Sequence, residues 1–83
     1  MSYSAVKQRI TSGLQQKYTG KLKDFSVSNV EADVTQILVS MVRNKEIVNF
    51  ERVKATIVNS HVMISCGVFI DCGKFIINMK VDL

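Results

Sequence analysis

Between Phe25 and Leu83 apolar and polar residues alternate with little interruption, broken at Asn44-Lys45, Asn59-Ser60 and Cys72-Gly73. Period-two patterning rich in Val, Ile, Phe and Thr predicts β-strands. With each break as a hairpin tip, the strands fall at about 33–43, 46–58, 61–71 and 74–82, an antiparallel meander. Residues 24–31 alternate too and read as a connection or as a short fifth strand at the edge. The opening of the chain keeps a different period. Tyr3, Val6, Ile10, Leu14 and Tyr18 share one side at 100° per residue, which predicts a helix over about 4–19. Ser2 or Ser4 suits its start and Gly20 its end. Its weak point is Thr11-Ser12-Gly13, where the glycine alone lowers helix propensity by ~1 kcal/mol, so packing must hold it.

The predicted class is therefore α+β, one domain over 1–83, with the N-terminal helix on one face of a four- or five-stranded antiparallel sheet. Register follows from the faces, because a slip of one residue would turn every side chain over. An even loop at each tip gives rows such as Ala32–Ile57–Val62–Leu83, Val34–Ala55–Ile64–Val81, Gln36–Val53–Cys66–Met79, Leu38–Glu51–Val68–Ile77 and Ser40–Asn49–Ile70–Phe75. That face is almost wholly apolar, and the helix stripe is its natural cover.

The opposite face is polar in the rows Asp33–Thr56–Met63–Asp82 and Thr35–Lys54–Ser65–Lys80. It turns apolar at Val39–Phe50–Phe69–Ile76, flanked by Ile37, Met41 and Val48, and no further helix is expected to cover that half. A contiguous exposed apolar patch marks an interface, so these residues form the expected partner or homo-oligomer surface. Arg52, on the same face, reads as an interface anchor or a solvated charge. The competing reading is that residues 19–31 fold across the patch or that the sheet curls over it. Glu51 and Asn49 are anomalous on the apolar face. A carboxylate there is either a functional acid with a raised pKa, or it stands at a corner beyond the reach of the helix or is turned outward by a bulge near Asn49, and the cost of burying an unpaired charge favours these last two readings.

Charge adds a second candidate surface. The net charge is +4, and Ser4–Lys23 holds Lys7, Arg9, Lys17, Lys21 and Lys23 with no acid. Lys7, Lys17, Lys21 and Lys23 are thus candidate contacts to a polyanion such as nucleic acid, extended by Arg43 and Lys45. On a helical wheel, however, these cations do not share a face. Both tyrosines lie on the core stripe rather than on a base-stacking surface.

Candidate chemistry is sparse. The chain has no GxGxxG, P-loop, GxSxG, HExxH or CxxC motif, so neither an enzyme nor a cofactor is expected. Cys66 and Cys72 stand six residues apart on one strand, roughly 20 Å at ~3.3 Å per residue, too far for a disulfide or for a metal site shared with His61. Cys66 reads as a core residue, and Cys72 as a thiol at a hairpin tip. Two unpaired cysteines suit a reducing compartment. With no signal peptide and no apolar run near the ~20 residues of a membrane span, the expected location is cytoplasmic. The functional expectation is a small non-enzymatic protein-interaction module acting through the apolar sheet face as a homo-oligomer, with nucleic-acid binding through the basic segment as the alternative.

Overall fold

The computed structural model describes residues 3–18, 26–58, 61–71 and 73–82. Two helices precede three strands: α1 (Tyr3–Tyr18), α2 (Val27–Arg43), β1 (Asn49–Val58), β2 (His61–Ile70) and β3 (Gly73–Asp82). The class is α+β with an N-terminal helix, as the patterning implied. The sheet, however, has three strands, not four or five, in the order β1-β2-β3.

α1 buries Val6, Ile10, Leu14 and Tyr18, one residue per turn. Gly13, its local defect, sits where the second helix comes close. A Cβ there would lie 2.6 Å from Ile37 Cδ1, so the missing side chain admits a close approach that offsets the lost propensity.

α2 replaces the expected strand 33–43 and absorbs most of the segment 24–31. Ser26 caps it, its hydroxyl accepting from the Asn29 N–H at 3.2 Å. Val30, Val34, Leu38 and Met41 step along one face into the core, while Ala32 and Gln36, expected beside Val34 and Leu38 on a sheet, are exposed. The turn signal Asn44-Lys45 is real but ends a helix. The Lys45 N–H donates to the Val42 carbonyl at 3.0 Å and the Glu46 N–H to that of Met41 at 2.8 Å. Lys45 takes the left-handed position (φ 63°). This is a Schellman closure with lysine where glycine is usual.

In the sheet, β1 and β2 pair from Val58↔His61 to Lys54↔Ser65, the expected register. An irregularity between Glu51 and Lys54 then shifts the pairing to Glu51↔Gly67, Phe50↔Val68 and Asn49↔Phe69. β1 places two residues, Arg52 and Val53, against Cys66 alone, which is a β-bulge. β2 and β3 pair from His61↔Asp82 through Ile64↔Met79 and Cys66↔Ile77 to Ile70↔Gly73. That differs from the expected register by two residues. A shift of two changes neighbours but keeps every side chain on its face, so the inner face survives the correction. Gly73 (φ 137°) opens β3 in a conformation suited to glycine.

One core results, in which the helix stripes meet Ala55, Val62, Ile64, Cys66, Val68, Ile77, Met79 and Val81. α1 lies over β3 and α2 over β1. Both helices therefore cover the inner face, and among the described residues no element covers the outer one. Ser2, Gly20, Lys21, Lys23, Asn59, Ser60, Cys72 and Leu83, for which the sequence carries expectations, lie outside the described residues.

Candidate functional site

The outer face is built by alternation, and each row sets one residue of β1 beside one of β2 and one of β3. From the β1–β2 hairpin end the rows are Val58–His61–Asp82, Thr56–Met63–Lys80 and Lys54–Ser65–Asn78. Beyond the bulge come Glu51–Gly67–Ile76 and Asn49–Phe69–Lys74. Val58, Met63 and Ile76 are 51%, 44% and 52% exposed, a degree of apolar exposure the inner face shows nowhere.

The expected interface row does not survive as a row. Val39 is on α2, half-buried. Ile37 and Met41 are on α2 as well, Ile37 packed on the core and Met41 fully inside it. Phe50 is carried inward by the bulge, opposite Val68 and against the core. Phe69 and Ile76 remain on the outer face, Val48 is exposed just before β1, and Arg52 is exposed at the bulge. The bulge also settles Glu51 and Asn49, which stand outward opposite Gly67 and Phe69 rather than among the apolar residues. Val58, Met63, Lys54 and Lys80 were legible as outward-facing from alternation alone. Their membership of one candidate site emerges only once the fourth strand is removed and Phe50 turned in.

At the bulge end, the Lys74 ammonium donates to the Glu51 carboxylate across the central strand. Gly67 lies beneath, and a Cβ on it would stand 3.1 Å from both Glu51 Cγ and Lys74 Cε. Lys74 Nζ is also 5.4 Å from the Phe69 ring centroid, a cation–π contact. The Lys74 hydrogen bond holds the Glu51 carboxyl below its usual range, with the charges of Lys74 and Arg52 adding to it and partial desolvation opposing. The direction is opposite to that of a carboxyl raised for acid catalysis. At the far end, His61 Nδ1 approaches Asp82 Oδ1 at 2.5 Å.

The remaining cations fall into two groups. Arg9 donates to both oxygens of Glu46 at 3.0 Å, and Lys17 to Asp33 at 2.7 Å. The Tyr18 hydroxyl donates to the same Asp33 carboxylate. Burial, then Asp33, pushes the Tyr18 pKa up to about 12, so this cluster ties the end of α1 to α2. Of the expected polyanion contacts, Lys17 is thus occupied and Lys7 is half-buried on α1. By contrast, Arg43 and Lys45 at the end of α2, and Arg52, Lys54 and Lys80 on the sheet, have no carboxylate within 4 Å among the described residues.

Elsewhere, a groove of about 390 Å³ runs between the helices, lined by residues including Ser12, Gln16, Gln36 and Ser40. The Cys66 thiol is buried, which pushes its pKa up to about 11. Among the described residues no three His, Cys, Asp or Glu side chains are grouped to hold a metal ion, and no helix is long and apolar enough to cross a membrane. No family model matches the chain, and neither a curated protein nor a solved structure matches it.

Proposed function

We propose that the chain is a non-enzymatic protein-interaction module whose partner docks on the open outer face of its sheet. The observation that carries this reading is the roughly half exposure of Val58, Met63 and Ile76 on a face that no described element covers. Exposed apolar residues carried on one open sheet face are what an interface draws on. The sheet edges are weaker candidates. β1 is interrupted by its bulge, and the Glu31 carboxylate accepts the Ala55 N–H at 2.9 Å. β3 lies under α1, whose Gln15 amide donates to the Asp82 carbonyl at 3.3 Å. These are the devices by which edges avoid pairing.

Another protein fits the face better than a second copy does. Stacking two such faces would bring Arg52, Lys54 and Lys80 of both copies into one interface, where unpaired lysines are disfavoured. Single-stranded nucleic acid fits less well. Phe69 is the lone outer-face aromatic among the described residues, and its ring is already engaged by Lys74.

A photo-reactive benzoylphenylalanine placed at Ile76 or Met63 is expected to give heterologous adducts in native lysate. The same group at Ser12, on the helix layer, is expected to give none. Adducts only from Ser12, or only between copies of the chain, would sink the reading.

A further inference from the structure

We propose that the outer face receives an acidic segment of the partner, with apolar residues at both its ends and Arg52, Lys54 and Lys80 as its carboxylate contacts. This rests on the reading of that face as the docking surface and specifies what docks. Unpaired positive charge lies on this face. Arg9 and Lys17 on the helix layer and Lys74 on the outer face have carboxylates within the chain, whereas Lys54 and Lys80 on the outer face and Arg52 at the bulge do not; Arg43 and Lys45, at the end of α2, share that lack but stand off the sheet. Lys54 and Lys80 occupy adjacent rows on opposite edge strands, with Ser65 and Asn78 between them. Apolar pairs stand at both ends, Val58 with Met63 and Phe69 with Ile76. Met63 and Phe69 are six residues apart on β2, or about 20 Å. The face thus carries its unpaired lysines in the middle, and at each end exposed apolar residues beside an ion pair of the chain's own, His61–Asp82 and Glu51–Lys74. A complementary segment sets carboxylates between apolar ends, and such charge matching selects the partner and speeds its capture.

The β1 backbone points the same way independently. The bulge holds Arg52 at φ 53°, a region that glycine enters without strain and a long side chain does not. Backbone strain retained at an exposed residue points to a use for its side chain. Arginine there presents a planar fork that binds a carboxylate through two parallel hydrogen bonds. Arg52 is exposed at the β1 edge, between the outer-face residues Glu51 and Lys54 in the chain.

The test selects random short peptides, displayed on phage, against the immobilised full chain, with a pool of random single-stranded DNA run in parallel. Net-acidic peptides containing apolar residues are expected to be enriched. Their affinity is expected to fall about tenfold for Lys54→Glu/Lys80→Glu and to drop as salt is raised. Arg52→Gly, which relieves the backbone, is expected to keep the fold by circular dichroism and yet bind several-fold more weakly. Peptides lost on Ile76→Lys but showing no acidic bias would overturn the charge assignment and leave the docking face standing. Peptides indifferent to Ile76→Lys would overturn both. Retention of DNA in place of acidic peptides would overturn the proposal in favour of a nucleic-acid surface.

Discussion

Glu51 and Lys74 meet over Gly67, reaching across the central strand from the two edge strands of the sheet. The contact needs both the bulge, which turns Glu51 outward, and the absence of a side chain at position 67. Gly67→Val would push branched methyl groups into both stems, where even a Cβ is tight at 3.1 Å. Overpacking of this kind costs about 1–3 kcal/mol. Urea unfolding should show that loss, and NMR titration should show the Glu51 carboxyl moving back up toward its usual value.

The same pair makes stability depend on acid. The Glu51 carboxyl is held below its ordinary value near 4.5, chiefly by the Lys74 hydrogen bond. A group depressed in the folded state contributes stability above its unfolded pKa and loses it as pH falls through the folded one. Wild type should therefore be the more stable of wild type and Glu51→Gln at neutral pH. The gap should narrow below the ordinary glutamate range and close in stronger acid. A gap that widens toward acid would show that Lys74 does not control this carboxyl.

Leu38 and Gln36 separate a helix from a strand. On a strand both would face the core, whereas on α2 Leu38 is fully buried and Gln36 exposed. Leu38→Ala should cost about 2–5 kcal/mol, a large share of the stability of so small a domain. Gln36→Ala should change it by less than about 0.5 kcal/mol. Thermal or urea unfolding of the two variants checks this, and comparable losses would contradict the helix.

That ambiguity explains what was legible in the sequence. Val34 and Leu38 are four residues apart, a spacing that satisfies both a period of two and one of 3.6. The three-residue step from Leu38 to Met41 is helical, but in a Val- and Thr-rich stretch it passes for an outward strand residue. For β2 no such conflict arises, and its inner residues Val62, Ile64, Cys66 and Val68 are where alternation places them. The two-residue register error against β3 left no trace in the pattern, because it moves no side chain to the other face. Phe50 misled for a local reason. A single extra residue at the bulge reverses the faces of everything before it, and nothing at Arg52 marks the bulge, since the position usually taken by glycine holds arginine. The candidate site was thus half visible, through its outward-facing residues, while its extent depended on one irregular turn of backbone.

Lys45 offers a stability test away from the sheet. It holds the left-handed position in the Schellman closure of α2 at φ 63°, where glycine is preferred. Lys45→Gly should stabilise the fold by up to about 1 kcal/mol, reduced by the greater freedom of glycine in the unfolded chain. A higher urea midpoint at unchanged slope is the expected result, and peptide binding at the outer face should not change.

Glu31 tests whether the β1 edge is protected by the helix layer. Its carboxylate accepts the Ala55 N–H at 2.9 Å from across the α2–β1 contact, occupying a backbone donor of an edge strand. Glu31→Ala removes that acceptor and leaves the partly buried N–H without it, a loss of about 1–3 kcal/mol. It also frees the edge on the side of the bulge nearer the hairpin, where Lys54 to Val58 pair regularly with β2. Two consequences should appear together, a lower urea midpoint and a concentration-dependent rise in sedimentation coefficient absent from wild type. Glu31→Gln, whose amide oxygen can still accept the N–H, should recover most of the stability and suppress the association. Recovery of stability without loss of association would mean that the exposed edge is not what the copies share.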